Sequence, residues 1–571
     1  MANVPANGWI DYAAIMLFFA LMVAIGIYYF FKTKTTSDYF TGGRIIPGWI
    51  SGLSYFMGGF SVMVFVGQAS VAYRHAGWVM ANAPLWALGL LLSAPIAARW
   101  HRASITTVPE FLSQRFGNST RYLFSFVGIP SRILDNGNRI YATAVFVGMG
   151  LGIGKGLGLW GSSFIIVIYT FLGGLWAVIS TDVIQFFLMS FAVILVAVLG
   201  LASLGGFSSF ISDSAPGFWS ISPDNEFTIG YLIAIALLNF ITNNGFWSLV
   251  QRYTSTPNEW EAKKVCYISA FATLVVMPIL FLPGAMGPHI VAKEIDQLVA
   301  GGLPIHLAAE RSYVLVCMKL LPAGLMGFII VAGFSATMSA LSAEYNILSA
   351  ICTRDIYRDL LNKSRKIREQ KMLWVGRFST LGIAMLCTLI GSQVENMGGA
   401  FKFCYLALGL TSSPTYLPPL LGLYNKRTPA WGANLAFAVG FASGLVTEFY
   451  LKLPLLETVL INSGVTMVTF FLAGLIDPVK GMRKEEVEIL FARLTTSRPV
   501  TKERADTGEA VVKKNTPNLN GVIGFGCVAF GLFLLVAGFL TKSAGGFWPN
   551  ALSGIGLIGI GSVLLYNPSN R

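Results

Sequence analysis

PGWISGLSYFMGGFSVMVFVGQASVAY, Pro47 to Tyr73, is an apolar run of membrane length interrupted at its centre by Gly58-Gly59 and Ser61. Lipid has no partner for the backbone carbonyls that such a break frees, so a broken helix is tolerated only where it lines a protein cavity or binds an ion. A second run, GLMGFIIVAGFSATMSALSAEYNILSA, Gly324 to Ala350, carries hydroxyls one helical turn apart. Such hydroxyls are the partners a desolvated Na+ needs. Together the two runs predict an ion-coupled transporter.

Composition sets the class. The 571 residues are 54% hydrophobic and only 12% charged, against about 25% charged in a soluble domain. The formal net charge of +13 does not point to nucleic acid, because the basic residues fall in short loops between apolar runs, as orientation signals do. The six cysteines show no metal or disulfide spacing and read as small core residues. The four histidines lie in loops or span ends without a nucleophile or metal spacing, so no enzyme is expected. No filter-like carbonyl loop or ring of acids suggests a channel.

At about 20 apolar residues per crossing, about fifteen spans are predicted: 10–31, 48–75, 78–99, 122–152, 160–179, 182–204, 227–250, 265–289, 324–352, 372–394, 399–424, 429–451, 456–476, 519–541 and 546–567. The first is read as a retained helix, since no basic segment precedes it and no small-residue cleavage site follows. Arg99, Arg102, Arg115, Arg121, Arg354, Arg358, Lys363, Arg365, Lys366, Arg368, Lys371, Lys426 and Arg427 then share one face. The positive-inside rule makes that face cytoplasmic, with the N-terminus outside and the C-terminus inside. Spans two to six and seven to eleven form two sets of five, and an odd number per set forces opposite orientations. The organisation expected is an extra helix and entry loop (1–46), a core (47–425, repeats about 47–204 and 227–425), two helices (426–476), a cytoplasmic connector (477–518) read as a solvated amphipathic or disordered loop, and two C-terminal helices (519–571).

Five strings resemble the sodium:solute symporter family: SDYFTGGRIIPGW (Ser37 to Trp49), TVPEFLSQRFG (Thr107 to Gly117), GGLWAVISTDVIQ (Gly173 to Gln185), Gln251-Arg252 and Asp355-Ile356-Tyr357. The resemblance implies an all-α polytopic protein with the leucine-transporter-like five-plus-five inverted repeat and extra terminal helices. It also implies a monomer that takes Na+ as coupling ion and no other cofactor. It places Na+ on the carbonyls of Met57, Phe60 and Ala336 and on hydroxyls at 339 and 340. Ser339 supplies one, but position 340 is Ala340. Five oxygens therefore become four, unless water, Ser335, Thr337 or Ser342 contributes. Asp182 is implied as an inner sodium acceptor; as a residue it also reads as a helix cap after Thr181.

The family's sugar-binding set is not reproduced. Asn82 stands near its Glu, Phe246 or Trp247 where an Asn would sit with Asn243 and Asn244 a turn away, and Tyr405 near its Gln. Charge at membrane depth takes its place: Arg132, Asp135 and Arg139 in the fourth span and Lys402 opening the eleventh. A mid-span charge costs roughly 2.5 to 3.5 kcal/mol and faces a cavity or a partner. Two arginines against one aspartate leave a surplus guanidinium, which favours an anionic solute. A sugar or polyol is the alternative in transport, with Trp247 stacking the ring, and a transporter-like sensor is the alternative outside it.

Overall fold

The computed structural model describes residues 8–32, 39–40, 42–321, 325–362, 367–496, 518–541 and 546–566, with the side chains of 172–174 excepted. Ser37, Asp38 and Thr41 of the entry string, Gly324, the loop cations Lys363, Arg365 and Lys366, and connector residues 497–517 lie outside them.

Among the described residues, ten helices are long and apolar enough to cross a membrane, and three bent pairs raise the number to thirteen. Gly48–Gly59 and Val64–Arg74 meet at 58°, and Ile229–Gly245 and Trp247–Thr254 at 51°. These two bends fall in the first member of each set of five, as inverted repeats require. The first break follows from Gly58-Gly59: Phe60 turns extended (φ −107°, ψ 147°), and its N–H donates to the Met57 carbonyl at 3.1 Å. The second follows Asn243-Asn244-Gly245, after which Phe246 leaves the helix (φ −68°, ψ 121°).

Sequence and structure part at Asp182. The turn between the fifth and sixth spans was expected at residues 180–181. Helical hydrogen bonding instead continues over Lys155–Ser203. Asp182 lies in the interior of that helix, so it caps no helix there. A second difference concerns the serine-rich helix, which continues as a wide helical extension to Leu361. The first part of the expected loop is therefore ordered, with Arg121 paired to Asp355 and, at 2.6 Å, to Asp359.

The connector is also more structured than expected. Met482–Thr495 is a helix that buries Val487, Leu490, Phe491 and Leu494. Arg102 donates to the Leu494 carbonyl (2.9 Å) and Arg493 to Gln114 Oε1 (2.6 Å), so the helix is tied to the C-terminal turns of Ala76–Ala103 and Val108–Arg115. The loop cations meet on this face: Arg99 bonds the Leu423 carbonyl and Arg354 the Thr106 hydroxyl.

The last two helices, Leu519–Leu540 and Phe547–Tyr566, cross through glycines. A Cβ on Gly531 would lie 2.7 Å from the Gly554 carbonyl oxygen, and one on Gly524 2.8 Å from that of Gly561. Lipid exerts no hydrophobic drive between helices, so such close backbone contact is what pairs them.

Candidate solute and sodium site

The two breaks border one cavity of about 90 Å³. Gly59, Ser61 and Val64 come from the first break and Phe246 from the second. Six side chains on its wall each carry a buried polar atom without a hydrogen bond: Gln68 Oε1, Asn138 Oδ1, Arg139 Nη1, Asn239 Nδ2, Thr242 Oγ1 and Asn243 Nδ2. An unsatisfied buried polar group costs about 1 to 3 kcal/mol, so six of them lining one cavity mark a site built for a polar guest.

Asp135 shares this wall and accepts from Arg139 Nε at 3.2 Å. Arg132, two turns earlier on the same helix, points elsewhere. Its guanidinium pairs with Glu344 (Nε to Oε2 3.0 Å), donates to the Tyr416 hydroxyl (2.7 Å) and lies over the Phe246 ring. The count of two arginines against one aspartate is therefore corrected, because Glu344 supplies the second carboxylate and the cluster is neutral. Glu344 was legible as a lone acid in an otherwise uncharged span, which demands a partner.

Of the other expected solute residues, Tyr405 lines both this cavity and an outer one of about 870 Å³. Its hydroxyl takes a hydrogen bond from Gln68 Nε2 at 3.0 Å. Lys402 is exposed in the outer cavity and absent from the inner wall. Asn82 is buried, with its side chain toward Tyr405. Asn243 is on the wall; Asn244 is turned away, donating to Ser93 Oγ and the Phe240 carbonyl, both at 2.8 Å. Trp247 is packed into the Gly128 backbone, where a Cβ would lie 2.0 Å from the indole, so it stacks on nothing in the cavity. Helix packing, not solute, uses its face.

The oxygen-rich layer lies beside the first break. Val62 N–H donates to Thr337 Oγ1 (3.0 Å), joining the break to the serine-rich helix. Ser335 and Ser342 each donate to a carbonyl three residues back. Ser339, buried among them, has no hydrogen bond by geometry, although it faces Asp182. The carboxylate of Asp182 accepts from Ser54 and pairs with Arg252 at 3.4 Å, while its Oδ1 is buried and unbonded. Ser339 Oγ and Asp182 Oδ1 are thus two buried oxygens available to a cation. Ala336 and Ala340 are fully buried on the same helix, and Met57 and Phe60 form the break itself.

The model of the sodium:solute symporter family matches residues 39–440. The chain belongs to the sodium:solute symporter family. Among similar members, the sodium/glucose cotransporter of Vibrio parahaemolyticus is 24% identical, covering 87% of this chain and 96% of that protein. The sodium/sialic acid symporter of Aliivibrio fischeri is 28% identical, covering 77% and 87%. A solved Na+-coupled sialic acid symporter, in a substrate-bound outward-open state, superposes with a TM-score of 0.71 at 23% identity, over 83% of this chain and 99% of that one. This symporter is therefore a multi-pass membrane transporter of the leucine-transporter-like fold, coupling a small solute to Na+.

Sequence reasoning missed Gln68, Thr242 and the second break. Asn243-Asn244-Gly245 carried the signal for the break, since Gly and Asn end helices, but an uninterrupted apolar count concealed it.

Proposed function

We propose that this symporter imports a small polar organic solute bound in the cavity between the two breaks, residues 47–425 acting as the transporting core of a monomer with its basic-residue face in the cytoplasm. The N-terminus then lies outside and the C-terminus inside. The observation that carries this reading is the set of six unsatisfied buried polar atoms on side chains lining the cavity that the two breaks border. Beside it, the carbonyls of Met57, Phe60 and Ala336 with Ser339 form the first resting place of Na+. Asp182, close to Ser339, forms the second, where the ion competes with Arg252 for the carboxylate. One Na+ per cycle contributes about 2.3 kcal/mol per 100 mV, enough to concentrate a solute many-fold.

The test is uptake into proteoliposomes with an imposed Na+ gradient. Uptake is expected to collapse when K+ or choline replaces Na+, to require higher Na+ in Ser339→Ala, and to slow in Asp182→Asn. Equal uptake without Na+, unchanged in both variants, would overturn the sodium assignments.

A further inference from the structure

We infer that the solute of this cavity is a zwitterion, with a carboxylate held by Arg139 and a cationic nitrogen held by Asp135. The inference rests on the cavity being the solute site. Its starting point is the charge of the wall. Arg132 and Glu344 form a sealed pair, their side chains 2% and 0% exposed, so neither is offered to a guest. The accessible charge is that of Asp135 and Arg139 alone, which sums to zero.

That second pair is open. The side chains of Arg139 and Asp135 keep 11% and 13% exposure, both line the cavity, and one contact from Nε at 3.2 Å joins them. A bidentate guanidinium would have spent its fork on the aspartate. Here Nη1 is buried without a bond, which leaves a donor on a side chain that lines the cavity. A solute with only a carboxylate would bring its charge beside Asp135, and one with only an ammonium would bring it beside Arg139. Each meets repulsion in a low-dielectric site where it is least screened. A solute carrying both charges turns each end to its opposite.

The neutral wall groups divide in the same sense. Asn239 and Asn243 present free Nδ2 donors from the second broken span, suited to a carboxylate. Gln68 Oε1 and Asn138 Oδ1 are free acceptors, suited to an ammonium; Asn138 is fixed in that orientation by donating its Nδ2 to the Ala400 carbonyl at 3.1 Å. The cavity of about 90 Å³ has room for about six to nine waters, the scale of a solute with on the order of ten heavy atoms. Small amino acids and betaine-like compounds are the class that meets both requirements.

The experiment compares, on one carbon skeleton at a time, the amino acid, the acid lacking nitrogen, the amine lacking carboxylate, and the polyol. Na+-gradient uptake and thermal shift of the purified full chain are read for each. The best zwitterion is expected to half-saturate at a concentration at least about 100-fold below both singly charged analogues, the effect of one unpaired buried charge. Asp135→Asn is expected to reduce the preference over the nitrogen-free acid to under about 10-fold, and Arg139→Gln to do the same against the amine. Wild-type selectivity alone decides the matter if either variant fails to fold. Na+-driven uptake of a singly charged or neutral member as strong as that of the zwitterion would overturn the zwitterion assignment and leave transport standing. Absence of Na+-driven uptake for every class would overturn the cavity reading itself.

Discussion

Arg132 and Arg139 stand seven residues apart on one helix, each beside a carboxylate, yet they are built for different tasks. The Arg132–Glu344 pair bridges two helices and is shut away, with the tyrosine hydroxyl of Tyr416 and the ring of Phe246 completing its shell. The Arg139–Asp135 pair lies within one helix, where (i, i+4) geometry supplies the contact without a second helix. Both of its residues line the cavity. Mid-membrane charge in this protein is thus of two kinds, a fastener between helices and a surface for a guest, which sequence spacing alone does not separate.

Loss of the interhelical pair should act first on stability. Arg132→Gln leaves Glu344 buried without its ion-pair partner, at a cost of about 3 to 5 kcal/mol. Thermal unfolding in detergent should fall sharply, and Glu344→Gln should do the same. Replacing both, Arg132→Met with Glu344→Leu, should recover most of the loss, since an apolar pair of similar volume stands in for a buried ion pair with little net change. Arg139→Gln should cost under about 2 kcal/mol, because Asp135 still reaches the cavity, while solute uptake falls far more. Equal thermal losses at Arg132 and Arg139 would erase the distinction between the pairs.

A third buried carboxylate is held differently. Glu310, in the segment between Ile305–Ala309 and Ser312–Leu320, is 3% exposed and is held by the Ala400 N–H (2.6 Å) and the Tyr141 hydroxyl (3.2 Å) instead of by an arginine fork. Burial pushes it from the ordinary 4.5 up to about 7, the Ala400 N–H opposing. The folded state thus binds a proton more tightly than the unfolded one. The proton-linked stability is full below about pH 4.5 and is lost as pH rises through about 7. The change is on the order of 3 kcal/mol. The melting temperature of the wild type should fall between pH 5 and pH 8, and that of Glu310→Gln should fall much less. Parallel curves for the two proteins would show that Glu310 is not the titrating group.

The core was legible because the bilayer enforces it. Apolar runs of fixed length gave the spans, and Gly58-Gly59 gave the first break, since nothing else explains two glycines and a serine at mid-membrane. The charges in the fourth span were legible as a site for the same reason. What sequence left open were matters of partnership. Glu344 lay in plain view in the serine-rich run, but its pairing with Arg132 joins residues 212 positions apart. Trp247 read as a platform for sugar because a tryptophan beside asparagines suits one, whereas the space left by Gly128 takes its ring into packing. Asp182 read as a cap because Thr-Asp precedes an apolar run; helical hydrogen bonding in fact runs through it from Lys155 to Ser203. The connector helix Met482–Thr495 was hidden by its charge, its apolar face being only four residues wide.

The oxygen layer beside the first break is a neutral counterpart to these charged pairs. At the first break the oxygens come from backbone and hydroxyl, and the hydroxyls of Ser335 and Ser342 are already turned onto their own helix. Thr337 is engaged by the Val62 N–H. Ser339 alone in that group is without a hydrogen bond, and Ala340 beside it offers none. A serine at 340 adds one oxygen at a position buried on every side. A hydrogen-bonding group acting on a charge is worth about 1.5 to 3 kcal/mol, or roughly ten- to a hundredfold in Na+ affinity. Ala340→Ser should therefore lower the Na+ concentration that half-saturates uptake by about tenfold, with little change in the solute concentration required at saturating Na+. Ser339→Ala should move it the other way, and in the double variant the two shifts should fail to add, since adjacent ligands to one ion share its charge. An unchanged Na+ dependence in Ala340→Ser, with the variant folded and the solute still transported, would place the ion elsewhere, and the unbonded oxygen of Asp182 would then be its first residence.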